Sequence, residues 1–145
     1  MNAKTIGYWV TTVILALVWL SGGAAELARR PETVEGMARL GYPAYFVTIL
    51  GVWKVLGAIA LLVPRFPRLK EWAYAGTFFE LTGAVASQAV SGDSAMHIAV
   101  PALFAVCAVI SWALRPQSRT LGTLFPYVRP SAADARVTNA AILAV

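Results

Sequence analysis

The sequence predicts an all-α integral membrane protein. The expected architecture is a four-helix transmembrane bundle, with a short surface helix between spans 1 and 2 and both termini cytoplasmic. Three observations predict it. Of 145 residues 59% are hydrophobic and the mean hydropathy is +0.67, whereas a soluble domain is about 45–50% apolar by a comparable count. The apolar runs are close to the length a helix needs to cross about 30 Å of hydrocarbon at about 1.5 Å per residue. Most charges flank those runs instead of interrupting them. The length suits four spans with short connections, so residues 1–116 read as one membrane domain and 117–145 as a cytoplasmic tail, interfacial or disordered.

Residues 5–25 carry no charge and form the first expected span. Their end, Ser21-Gly22-Gly23-Ala24-Ala25, imitates a signal-peptidase site, but secretory apolar cores are shorter, about 7–15 residues, so a retained helix is expected. Ala16, Trp19, Gly23 and Glu26 share one helical face. Gly22 and Gly23 suit close helix packing, and Glu26 fits a pocket rim or a solvated helix end equally well.

Pro31, followed by Glu32 and Glu35, suits a short helix that Gly41 and Pro43 terminate. Val34, Met37 and Ala38 would lay it on the membrane surface or over the bundle. The second span is expected over 43–63, with Gly51, Lys54, Ala58 and Leu61 on one face. A turn at 64–71 carries Arg65, Arg68 and Lys70. The third span, 72–90, places Gly76, Glu80, Gly83 and Ser87 on one face, and the glycines there read as sites of close backbone approach. Gly92-Asp93-Ser94 offers Asp93 or Ser94 as N-cap of a fourth helix running to Leu114. Pro101 denies a donor to the carbonyl of His97, so a kink is expected there. Eight cations fall on the side of the termini (Lys4, Arg65, Arg68, Lys70, Arg115, Arg119, Arg129, Arg136) and three on the other (Arg29, Arg30, Arg39), which by the positive-inside rule puts both ends in the cytoplasm.

Lys54 and Glu80 are the only charges in residues 42–63 and 72–92. Both lie about 12–14 Å from the intervening turn at helical rise, so antiparallel neighbours bring them to equal depth. A lone charge there costs at least about 2.5–3.5 kcal/mol, and a mutual ion pair lowers that cost. His97, the one histidine, could pair outward with Asp93, but no other His or Cys stands near enough to complete a metal site, and none is expected. Cys107 has no disulfide partner and suits apolar packing. Net charge +5 does not imply nucleic acid, because the cations flank spans instead of forming a patch. No phosphate-cradling Gly-rich loop and no Ser/His/acid triad is apparent.

Leu40-Gly41-Tyr42-Pro43, the run from Leu50-Gly51 through Lys54 to Gly57-Ala58, and Leu69-Lys70-Glu71-Trp72-Ala73-Tyr74-Ala75-Gly76 carry a family resemblance. So do Gly83-Ala84, Gly92-Asp93 and Leu114-Arg115-Pro116. Over residues 8–116 the chain resembles the DoxX-like family of small bacterial membrane proteins. The resemblance implies a four-helix, multi-pass protein of the bacterial cytoplasmic (inner) membrane. The family's name-giving relatives look like subunits of a thiosulfate:quinone oxidoreductase, and distant ones act as membrane chaperones or cargo receptors. Many relatives carry Ser-His where this chain has Ser87-Gln88, so a proton-accepting imidazole is missing there.

The expectation drawn from residues and resemblance together is a non-catalytic or accessory subunit that binds a small amphipathic, quinone-like ligand. Glu26, Lys54, Glu80 and His97 would point inward, with Trp19, Trp53 and Phe79 as apolar walls. Quinone is the one cofactor the resemblance brings forward. The bilayer is the expected partner, with a membrane or redox protein or a second copy of the chain beside it. Two alternatives stand: an assembly or escort factor for another membrane protein, and a proton-coupled transporter, for which the charges exist but repeats are not visible.

Overall fold

A computed structural model describes residues 3–121, and every regular element among them is helical. The order is α1 (Ala3–Leu27), α2 (Pro31–Arg39), α3 (Ala44–Leu62), α4 (Pro67–Val90) and α5 (Ala95–Ala113), closed by a 3-10 turn at Gln117–Arg119. The expected interfacial or disordered end of the tail lies outside the described residues beyond 121.

Local chemistry accounts for the boundaries. Pro31 and Pro67 open α2 and α4, where a missing N–H costs nothing and a fixed φ suits the first turn. Pro67 starts α4 five residues ahead of the expected span, so Arg68, Lys70 and Glu71 are helical and do not form a turn. Gly41, at φ +84°, takes the left-handed conformation just past α2. Of the two candidate caps of α5, Ser94 takes the role, its Oγ accepting the His97 N–H at 3.4 Å. Asp93 instead accepts from the Ser94 N–H at 2.8 Å. The helix continues through Pro101.

Among the described residues three helices, α1, α3 and α5, are long and apolar enough to cross a membrane, with mean hydropathies of 1.7, 2.0 and 2.0 over their best windows. The expected third span is α4, which falls outside that group although it is 24 residues long. Glu80, Gln88, Trp72, Tyr74 and two threonines dilute its apolar character. Around the molecule α1 packs on α3 and α5, while α4 packs on α5 and, more loosely, on α3. Two adjoining core clusters fill the middle: Ala16, Trp19, Ala58, Leu81 and Ala105 in one, Leu15, Leu61, Tyr74 and Ala108 in the other. Leu17, Leu56, Leu103 and Val106 point outward, as a lipid-facing surface requires.

The crossing of α1 and α3 depends on two glycines. A Cβ on Gly23 would stand 3.0 Å from the Gly51 carbonyl oxygen, and one on Gly51 would stand 3.1 Å from that of Gly23. The pair therefore permits the close approach that small residues provide in membranes. Gly76 and Gly83 behave differently from expectation. A Cβ on either would meet no heavy atom within 4 Å. No backbone approaches them, because α3 and α4 are separated by a cavity along that face.

Polar side chains pin the opposite end. Ser111 of α5 is 2.8 Å from both Thr12 Oγ1 of α1 and Tyr74 OH of α4, tying three helices through one buried hydroxyl. Lys70 is fully buried, and its Nζ donates to the carbonyls of Ala60 at 2.8 Å and Leu61 at 2.7 Å, capping the end of α3. Burial, then the nearby Arg119 and Arg115 charges, lower its pKa to about 8. Arg119 also donates to Leu61 O at 3.3 Å and to Tyr8 OH at 3.1 Å. Glu71 accepts from Arg115 at 2.6 Å and from Trp112 Nε1 at 2.9 Å. Burial raises the Glu71 carboxyl, but these hydrogen bonds outweigh it and leave the pKa below the usual range.

Candidate functional site: a charged chamber between α3 and α4

A cavity of about 600 Å³ lies between α3 and α4, with α1 behind it and the α2–α3 connection at one end. Its lining is mostly apolar, and its charged side chains are Glu26, Lys54 and Glu80. They come from three helices. Glu26 ends the α1 face that holds Gly23, so the tight α1–α3 crossing delivers its carboxylate beside Lys54, one turn past Gly51. Lys54 Nζ donates to Glu26 Oε1 and stands 3.2 Å from Glu80 Oε1. The ammonium thus bridges two carboxylates, with the Trp19 ring centroid 5.8 Å away.

Side-chain exposure grades the group. Glu26 is nearly sealed at 7%, while Lys54 and Glu80 keep 17% and 22%, so the chamber opens toward those two. Of the two readings open for Glu26, the solvated helix end is excluded. Two buried polar atoms in the lining have no hydrogen-bond partner: Glu26 Oε2 and Thr77 Oγ1. At the far end Tyr42 OH meets Ser87 Oγ at 2.7 Å, and the Tyr42 ring stacks on Phe46 at 4.9 Å.

The structure brings together Glu26, Lys54, Glu80 and Trp19 around the chamber and places Trp53 and Phe79 on its lining. Trp53 and Phe79 are 65% and 70% exposed, so they border the mouth and do not form inner walls. His97 departs from its inward placement. Its side chain is 53% exposed, with Nδ1 2.6 Å from Asp93 Oδ1. The His97 hydrogen bond, and then the Ser94 N–H, lower the pKa of Asp93. The reason lies in the cap: Ser94 at the N-terminus of α5 sets His97 in the first turn, facing away from the chamber. His97 borders a second recess of about 190 Å³ with Glu32, Gln88 and, again, Glu26. Among the described residues, no three His, Cys, Asp or Glu side chains stand together as a metal-holding group.

Sequence reasoning missed the Glu26–Lys54 contact and the role of Thr77. Signals for both existed: Glu26 shares the Gly23 face, and Thr77 precedes Glu80 by three residues on one helical face.

The profile of the DoxX-like family matches residues 10–111, from within α1 to the last turn of α5. The chain belongs to the DoxX-like family. The matched stretch contains all three charged residues of the chamber. This DoxX-like protein is also similar to the uncharacterized protein YdgD of Bacillus subtilis (strain 168), with 28% identity over 101 residues, covering 68% of this chain and 86% of the relative. No solved structure matches it.

Proposed function

We propose that this DoxX-like protein is a four-span protein of the bacterial inner membrane that binds a small amphipathic, quinone-like ligand between α3 and α4, as an accessory subunit without catalysis of its own. The observation that carries this reading is the chamber itself. About 600 Å³ falls within the range of about 300–1,000 Å³ usual for small-molecule sites, which are apolar with a few convergent polar groups. The mouth, bordered by exposed Trp53, Trp72 and Phe79, opens on an apolar flank, which favours arrival from lipid. The cations along the chain favour cytoplasmic termini, with α4 completing the fourth span. Lys54 supplies a donor for a ring carbonyl, and Glu80 a group that can hold or pass a proton.

The test is extraction of the purified protein for bound quinone, with titration by a short-tailed quinone followed through tryptophan fluorescence. Trp19, Trp53 and Trp72 all line the chamber, so occupancy should quench them. Absence of both a co-purifying quinone and saturable quenching overturns the reading.

A further inference from the structure

We propose that Tyr42 and Ser87 form a second anchor in the chamber, so that the head group it takes is a flat ring with an acceptor on each of two opposite edges, a 1,4-dicarbonyl. The inference deepens the reading of the chamber as a quinone-like site and rests on it. Lys54 Nζ carries three donors, and two carboxylates engage it, which leaves one N–H for a single acceptor. A ring held by that bond alone pivots about it. The Tyr42–Ser87 pair supplies the second donor. Two hydroxyls hold two O–H groups, and the 2.7 Å bond between them uses one. Among the described residues neither side chain makes another hydrogen bond. Both are half-buried members of the chamber lining, so the remaining O–H keeps contact with the open volume. Tyr42 is also held in place. Gly41, at φ +84°, turns the chain before it, its N–H donates to Met37 O at 3.0 Å, and its ring stacks on Phe46.

The spacing of the two anchors fits such a ring. Glu80, which stands beside the Lys54 ammonium, and Ser87 are two turns apart on α4, about 10.5 Å at helical rise. The two oxygens of a 1,4-benzoquinone lie about 5 Å apart by standard bond lengths. A hydrogen bond of about 2.8 Å at each edge extends that span to about 11 Å. Between the anchors α4 presents Gly83 and Ala84, which follow Glu80 at i+3 and i+4 on the face that ends in Ser87. A Cβ on Gly83 would meet no heavy atom within 4 Å, so this wall is bare. The α3 wall opposite is apolar, with Phe46 and Leu50 on the face of Lys54. A flat ring fills this slot with one carbonyl at each donor, and its tail leaves past Trp53 and Phe79 at the mouth.

The experiment titrates the full chain in phosphatidylcholine nanodiscs by calorimetry, with empty nanodiscs subtracted. The two ligands are a decyl-tailed 1,4-benzoquinone and a decyl-tailed cyclohex-2-enone, which keeps one carbonyl. The quinone is expected to bind at least about fivefold tighter, which corresponds to about 1 kcal/mol. Tyr42→Phe combined with Ser87→Ala removes both hydroxyls and should weaken the quinone about fivefold while leaving the enone within about twofold. Equal weakening of both ligands, or of neither, overturns the second anchor, because the pair then only shapes the chamber. An enone that binds the unaltered chain as tightly as the quinone also overturns it, and this result needs no variant to fold; the chamber then remains a ligand site. Saturable binding of neither ligand by the unaltered chain overturns the quinone-like reading as well.

Discussion

Lys54 is the residue on which the chamber depends, because among the described residues it is the one cation facing two carboxylates from different helices. Removing it leaves Glu26 and Glu80 facing each other without compensation. Lys54→Met is therefore expected to cost about 3–5 kcal/mol, the usual penalty for breaking a buried pair from one side. Adding Glu26→Leu and Glu80→Leu to that variant should recover most of the loss, since a well-packed apolar replacement is often neutral. Thermal unfolding of the detergent-solubilised single and triple variants checks both statements; a single variant as stable as the parent would show that the charges are not coupled. Ligand binding should be lost in both. The sequence made the Lys54–Glu80 juxtaposition visible because each charge stands alone in an apolar run. It left Glu26 undecided, because a carboxylate at a helix end looks the same whether the next helix is near or far.

At the level of helices, two glycine pairs do opposite things. Gly23 and Gly51 lie at a crossing where backbones touch, and Gly76 and Gly83 face open volume. Gly23→Leu must push against the Gly51 carbonyl and the Val55 side chain, each 3.0 Å from the new Cβ, and is expected to cost about 1–3 kcal/mol. Gly76→Leu meets nothing within 4 Å and should keep or raise stability by up to about 1 kcal/mol through helix propensity. The same change fills part of the chamber and should weaken ligand binding. A thermal midpoint together with a ligand titration on each variant separates the two roles, and equal destabilisation by both would refute the open groove. This is where the sequence could not be read further. Spacing identifies which residues share a face, while the identity of the opposing surface is a tertiary fact. Helix limits were more legible, since Pro31, Gly41 and Ser94 act locally. Pro67 is also a local signal, yet the cations following it resembled a loop.

Across the whole molecule, the two ends of the helix set are held by different chemistry. One end has the charged chamber; the other has Lys70, Arg115 and Arg119 gathered around the carbonyls that finish α3 and around Glu71. Lys70 titrates near 8 in the folded protein against an ordinary value of 10.5. Between those two pH values the unfolded chain binds more protons than the folded one, so stability rises with pH through that window and is lower and level beneath it. The gain from Lys70 is on the order of 3 kcal/mol. Comparing the pH dependence of unfolding with that of Lys70→Met isolates it, and identical slopes would refute it. The buried role of Lys70 was hidden in the sequence, where it counted as one more flanking cation. Glu26 forms part of the floor of both recesses, the large one beside α4 and the small one beneath α2. Any lesion at that position alters two surfaces simultaneously, so a phenotype mapped there is ambiguous by construction; paired lesions at Thr77 and Glu32, each confined to one recess, are what tell the two apart.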